Sequence, residues 1–171
     1  TTAALAMPGV KAILTVDDLP GVDGQRRAVL GKVAGLDRAT AEARRTESGT
    51  TIAGVLHHLV VVERDWFGHL FAGGPDLYGD LEDDFAPPAD LTLDDLERDY
   101  RAACRESAAI VSDADSLDSV SVLPHPFFGL VTLRWLHLHM LRETARHAGH
   151  LDILREDTDG QVGDDSAPDE I

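Results

Sequence analysis

The longest helical pattern in the chain runs from Thr132 to about Glu156 and carries an apolar side that needs other helices to cover it. Thr132 is a typical helix-capping residue, and apolar residues such as Met140 and Leu151 recur at helical spacing after it. Strand-like alternation is scarce in the rest of the chain, and aromatic residues, which favour strands, make up only 5% of it. The sequence therefore predicts an all-α fold.

Three further segments show the same kind of helical pattern, at 22–36, at 52–71 and from Thr92 onwards. Thr92 is followed by Asp95 at the spacing of a capping box, which indicates a helix start. Two long connections, 73–90 and 113–129, contain glycine, proline and acidic residues without helical periodicity. Four long helices joined by two long connections predict a four-helix bundle.

The length of 171 residues and the net charge of −16 limit the class of protein. We expect one domain over residues 1–160 and a disordered acidic tail over 161–171. An acidic chain is a poor match for nucleic acid or for an anionic membrane surface, because both attract lysine and arginine. No segment is long and apolar enough to span a membrane and no N-terminal secretory signal is visible, so a cytoplasmic protein is expected. The single cysteine, Cys104, excludes an internal disulfide and is expected to be a small core residue.

Four polar residues lie along one side of the last predicted helix: His139, Glu143, His147 and His150. At about 100° per residue, the last three stand at about 40°, 80° and 20° from His139, within a quarter turn. The apolar positions of the helix fall beside this stripe, so the stripe faces the bundle interior. Burying that many titratable groups without partners costs several kcal/mol each, and a metal ion would compensate them directly.

The second predicted helix offers a further ligand. His57 and His58 are adjacent and point about 100° apart, so at most one of them faces the core squarely. His58 together with Glu143 and His147 gives three ligands with one vacant position, which is typical of a catalytic metal site. Spacing alone leaves two alternatives open, an ordinary ion pair on a solvated helix face and a histidine that is simply hydrogen-bonded in the core.

The hypothesis is therefore that His58, Glu143 and His147 bind one divalent metal ion. His150 lies three residues past His147 and is expected to hydrogen-bond near the metal without binding it. His139, one turn before Glu143, is a weaker candidate for the same pocket. No residue is identified as the catalytic one.

The two long connections are expected to close over one end of the bundle and to bound a substrate cavity, because loops of this length are often functional. Their aromatic residues, with one from the end of the second helix, can wall an apolar cleft: Phe71, Tyr78, Phe85, Phe127 and Phe128. Arg134 opens the last helix and can bind an anionic group of a ligand. The alternative is that Arg134 offsets nearby acidic residues.

Two stretches resemble a known superfamily, "SGTTIAGVLHHLVVVERDWF" and, far downstream, "VTLRWLHLHMLRETARHAGHLDILRE". The chain is similar to the DinB/YfiT-like superfamily over about residues 20–160, and most similar to its mycothiol-dependent branch, which includes maleylpyruvate isomerase. The resemblance implies a four-helix bundle holding one divalent metal, usually zinc and sometimes nickel. It also implies the ligands His58, Glu143 and His147, since "ETARH" matches the glutamate variant of that branch.

The resemblance implies that the chain is an S-transferase or isomerase whose metal activates a small thiol, mycothiol or a similar one. The thiolate would attack a small electrophile. The same ligands could activate water instead, so a metal-dependent hydrolase remains an alternative. A non-catalytic stress protein that binds metal or a small ligand is the third reading, and a homodimer is compatible with all three.

Overall fold

The computed structural model describes residues 22–162. Five α-helices follow one another in this range: α1 (Val22–Val33), α2 (Arg38–Ala41), α3 (Ile52–Glu63), α4 (Leu93–Asp113) and α5 (Leu133–Asp159). Helix α3 continues directly into a π-helix, Arg64–Phe71. α1 packs mainly against α5, and α3 packs mainly against α4. The predicted all-α bundle is confirmed. Most of the predicted tail, residues 161–171, lies outside the described residues.

Local signals set where the long helices begin and end. Thr92 and Asp95 form the predicted capping box at the start of α4, and the Thr132 side chain caps α5. α1 ends at Val33 rather than at the predicted residue 36, because the chain turns at Gly35 with a φ of 76°. α5 extends to Asp159, three residues past the prediction, and stops at a glycine in the left-handed region.

The core consists of two apolar clusters stacked along the bundle. The first joins α1, α3, α4 and α5 and includes Val29, Leu56, Leu96, Tyr100 and Leu151. The second surrounds the π-helix and the first half of α5 and includes Phe67, Leu70, Leu136 and Met140. Cys104 lies in the first cluster as a buried core residue. No helix in the described range is long and apolar enough to cross a membrane.

A buried ion pair crosses the core between α1 and α3. The Arg26 Nε and Nη2 atoms lie 2.7 Å and 2.5 Å from the two carboxylate oxygens of Glu63. Arg26 also contacts Asp23 at 2.9 Å. Glu63 is the last residue of α3, so the pair lies next to the point at which the helix changes to π geometry.

The π-helix was predicted as the end of one regular helix. Its range, Arg64–Phe71, matches the predicted end, but each turn contains an additional residue because its hydrogen bonds run from i to i+5. Four of its side chains are buried, namely Trp66, Phe67, Leu70 and Phe71.

Candidate metal centre

Packing of α3 against α5 brings three predicted ligands together. Helix α5 carries Glu143 and His147 one turn apart, and His147 Nε2 lies 3.0 Å from Glu143 Oε1. His58 projects from α3 toward the same carboxylate, with its Nε2 at 3.6 Å from Glu143 Oε1. One donor atom from each of the three residues lies within 4.8 Å of the others. They form a compact set of two imidazoles and one carboxylate.

The protonation states of Glu143 and His147 on α5 suit metal binding. Burial raises the pKa of Glu143, but the hydrogen bond with His147 and the neighbouring imidazoles outweigh it and hold the pKa below its ordinary value. Burial and the nearby His58 lower the pKa of His147, although Glu143 opposes this. At neutral pH the pair is therefore a carboxylate beside a neutral imidazole, the forms in which both residues bind metals.

His58 has one ring nitrogen engaged and the other without a partner. Its Nδ1 lies 2.7 Å from Asp84 Oδ2, in the connection between the π-helix and α4. Its Nε2 is buried and has no hydrogen-bond partner among the residues that the structure describes. The ring stacks on Phe85, with centroids 4.2 Å apart and planes 12° apart. A buried nitrogen without a partner costs free energy, so this geometry calls for a further group at Nε2.

Two of the three separations between the donor atoms match a small divalent cation, and all three lie within 4.8 Å. With bonds of about 2 Å, tetrahedral ligand atoms lie about 3.3 Å apart. The distances from Glu143 Oε1 to His147 Nε2 and to His58 Nε2, 3.0 Å and 3.6 Å, bracket that value. A cation at their centre would also satisfy His58 Nε2. Three protein ligands would leave a fourth position for a substrate atom.

The sequence did not reveal Asp84 as part of this site. His57 and His58 are both buried, and the connection that contains Asp84 contacts both rings. His57 is satisfied separately, since its Nδ1 lies 2.8 Å from the backbone oxygen of Asp84. The only local sign of Asp84 in the sequence was its neighbour Phe85, which was predicted to wall a cleft.

His150 lies beside the ligand set and outside it. Its Nδ1 is 3.3 Å from His147 Nδ1, and the two rings meet edge to face at a centroid distance of 5.1 Å. It is not among the three residues whose donor atoms converge. When His147 Nε2 serves as a ligand, its ring proton sits on Nδ1 and can be donated to His150.

His139 belongs to an aromatic cluster one turn before Glu143 on α5. Its ring stacks on Trp135 at a centroid distance of 5.1 Å and contacts the tilted ring of Trp66 at 4.3 Å. Arg142 donates a hydrogen bond to its Nδ1 at 3.1 Å. Burial and the charge of Arg142 lower the pKa of His139. The cluster shares a side of the bundle with the ligand set, but His139 has its own partners there.

Arg134 has a carboxylate partner close by. Its Nη2 lies 3.1 Å from Asp118 Oδ1, and both side chains are exposed. This contact fits the alternative in which Arg134 offsets a nearby acid.

The two connections reach the same side of the bundle at different levels. Phe85 from the first connection stacks on His58, whereas Phe128 from the second packs on Trp135 at 5.0 Å. Tyr78 and Phe127, which were also predicted to wall the cleft, have other surroundings. Tyr78 accepts a hydrogen bond from Arg64, and Phe127 is 89% exposed.

The chain matches a known protein family. The model of a family described as mycothiol S-transferase matches residues 21–160. The matched range includes all five helices, both long connections and the three converging residues of α3 and α5. Comparison with curated proteins gives no match.

Proposed function

The chain belongs to the mycothiol S-transferase family, and from this we propose that it joins a thiol of the mycothiol type to a small electrophile at the site formed by His58, Glu143 and His147. In this reaction the thiol sulfur forms a bond to carbon, the electrophile loses its leaving group, and the thiol proton is released. The proposal makes the ligand set of the helix bundle the reaction centre.

One observation carries the proposal: the buried His58 Nε2 has no partner among the described residues and lies 3.6 Å from Glu143 Oε1. A protein that only needed a packed core would have an apolar residue here, since an unsatisfied buried nitrogen is costly. Two imidazoles and one carboxylate around that point favour a divalent cation, for which zinc is the expected choice and nickel the alternative.

A cation held by these ligands would stabilise the thiolate form of a bound thiol, which is the nucleophilic form. The residues of the chain set the conditions for this. Glu143 would supply one negative charge and imidazole ligands would supply none, so a site loaded with a divalent cation would keep a net positive charge that attracts a thiolate. His150 stands next to His147 Nδ1 and can hold a proton there. Phe85 covers His58 with an apolar ring and keeps water from that ligand.

The test is a panel of thiols with one electrophile. Zinc-loaded protein is mixed with a fluorogenic haloalkyl compound and mycothiol, and in parallel with other small thiols or with no thiol. We expect conjugate to form faster than without protein only when a thiol is present, with mycothiol the best substrate, and mass spectrometry identifies the thioether.

Glu143→Gln and His147→Ala should reduce the rate to near that without protein, whereas His69→Ala, a histidine that contacts the backbone oxygen of Gly74, should keep it. Loss of the electrophile to hydrolysis, without any thiol, would support the hydrolase alternative. Protein without effect under all conditions would contradict catalysis at this site.

A further inference from the structure

We propose that Asp84 is a positioning residue of the metal centre, and that its carboxylate fixes the orientation and the tautomer of His58. Nothing in the family match assigns a role to this residue. The inference rests on the proposed function insofar as His58 is taken to be a ligand. Its structural part, the control of the His58 ring, can be tested without any metal.

The hydrogen bond determines which nitrogen of His58 carries the proton. An ionised carboxylate only accepts hydrogen bonds, so the Nδ1 atom at 2.7 Å from Asp84 Oδ2 must be the N–H. In a neutral ring the other nitrogen then presents its lone pair. That nitrogen is Nε2, the atom that points toward Glu143. Asp84 therefore selects the form of His58 that can bind a metal through Nε2.

The connection that carries Asp84 is attached to α3 at several points, so the carboxylate is held in place. The backbone oxygen of Asp84 accepts from His57 Nδ1 at 2.8 Å, while the neighbouring Phe85 stacks on His58. The backbone of Phe85 also approaches α3 closely at Gly54, where a Cβ atom would stand 2.5 Å from the Phe85 oxygen. A glycine at this helical position allows the connection to reach the two histidines one turn later.

The two ligand histidines are supported differently. His58 has a carboxylate at its Nδ1, whereas His147 has the imidazole of His150 at its Nδ1, 3.3 Å away. A carboxylate partner makes the imidazole a better donor to a metal than a neutral partner does. We therefore infer that Asp84 contributes more than His150 to orienting the ligand histidines.

Asp83 provides a matched control. It is adjacent to Asp84 and exposed, and its carboxylate accepts from the backbone N–H of Phe85 at 2.9 Å instead of from a histidine. Asp83→Asn and Asp84→Asn change the net charge equally and lie in the same connection. A difference between them reports the contact with His58.

The first measurement is zinc affinity, by competition with a chromogenic chelator, for the wild type, Asp84→Ala, Asp84→Asn and Asp83→Asn. We expect Asp84→Ala to bind zinc roughly 10- to 100-fold more weakly. Asp84→Asn should fall between it and the wild type, because its amide oxygen still accepts from Nδ1–H but carries no charge. Asp83→Asn should stay close to the wild type. Urea unfolding of each variant confirms that the protein is folded.

The second measurement is the tautomer of His58 in the metal-free protein, read from ¹⁵N chemical shifts of the ring. The wild type and Asp84→Asn should show the Nδ1–H form, and Asp84→Ala should shift toward Nε2–H. An unchanged tautomer together with unchanged zinc affinity in Asp84→Ala overturns the inference. If the wild type binds no zinc, the proposed function fails, yet the tautomer of His58 still decides whether Asp84 positions the ring.

Discussion

Arg26 and Glu63 form a doubly bonded ion pair inside the bundle, with the two side chains 4% and 0% exposed. Burial alone would lower the pKa of Arg26, but the hydrogen bonds to Glu63 and its charge raise it above the ordinary value. Arg26 therefore remains charged, and its buried charge depends on the carboxylate of Glu63 for compensation. Arg26 lies on α1 and Glu63 lies at the end of α3, so the pair holds these two helices in a fixed position relative to each other.

We predict that Glu63→Ala destabilises the fold by about 3–5 kcal/mol, because it leaves the Arg26 charge buried without a partner. The matched control is Glu106→Ala, which removes a half-exposed carboxylate from Arg64 and should cost at most about 1 kcal/mol. Urea unfolding followed by circular dichroism measures both. Equal losses in the two variants would contradict the assignment of the buried pair as the more important one.

His147→Ala should remove most of the bound metal, because only two of the three ligands remain. His150→Ala should keep one metal per chain and weaken its binding only modestly, since His150 contacts His147 and not the centre of the ligand set. Metal content after dialysis, measured by mass spectrometry, distinguishes the two variants. Full metal content in His147→Ala, or loss of all metal in His150→Ala, would reverse the assignment.

Gly54→Ala should destabilise the protein even though alanine is the better helix former. The new Cβ would stand 2.5 Å from the backbone oxygen of Phe85 and would push the connection off α3. Gly149→Ala is the control, because this helical glycine of α5 faces open space and its replacement should stabilise by roughly 1 kcal/mol. Thermal unfolding should thus shift in opposite directions, and a stabilised Gly54→Ala would show that the close approach is absent.

The stability of the fold should fall as the pH is lowered through the ordinary pKa of histidine, near 6.5. The pKa of His139 is lowered by burial and by Arg142, so the folded state keeps this ring neutral where the unfolded chain already binds a proton. Its contribution is complete above about pH 6.5 and is lost below it. Arg142→Ala should raise the pKa of His139, which an NMR titration would show as a midpoint at higher pH. An unmoved midpoint would contradict the role of Arg142.

Cys104 should not react with a thiol reagent at pH 8 until the protein unfolds. Burial, with the nearby Glu63 charge, raises the pKa of its thiol to about 12. The unfolded chain loses this proton from about pH 8.5 upward while the folded chain keeps it, so this residue makes stability decrease with rising pH over that interval. Labelling kinetics in increasing urea should follow the unfolding curve. Rapid labelling of the folded protein would place the thiol at the surface.

Local patterns in the sequence were sufficient to predict the helices and the proximity of Glu143 and His147 on α5. Thr92 with Asp95 and the side chain of Thr132 mark helix starts through contacts three residues apart, which a sequence displays directly. Glu143 and His147 are likewise neighbours on one helix, so their proximity follows from helical spacing alone.

Contacts between distant residues were not predictable in this way. Asp84 meets His58 across 26 positions, and Arg26 meets Glu63 across 37, without any local periodicity that links them. The π-helix escaped notice because eight residues are too few to distinguish a wider turn from an α-helical one. His139 shares the polar stripe of α5, but the tertiary packing of Trp66 and Trp135 gives it a different surrounding.

The wider turn at Arg64–Phe71 has a consequence for how related chains should align. A one-residue deletion within this segment can be absorbed by a return to α-helical geometry, since one hydrogen-bonded turn would lose its additional residue. His58 lies before the segment and would keep its place on α3, whereas Trp66 would rotate relative to α5. Related sequences with a single-position gap here should therefore retain the histidine and differ in the aromatic residues that line α5.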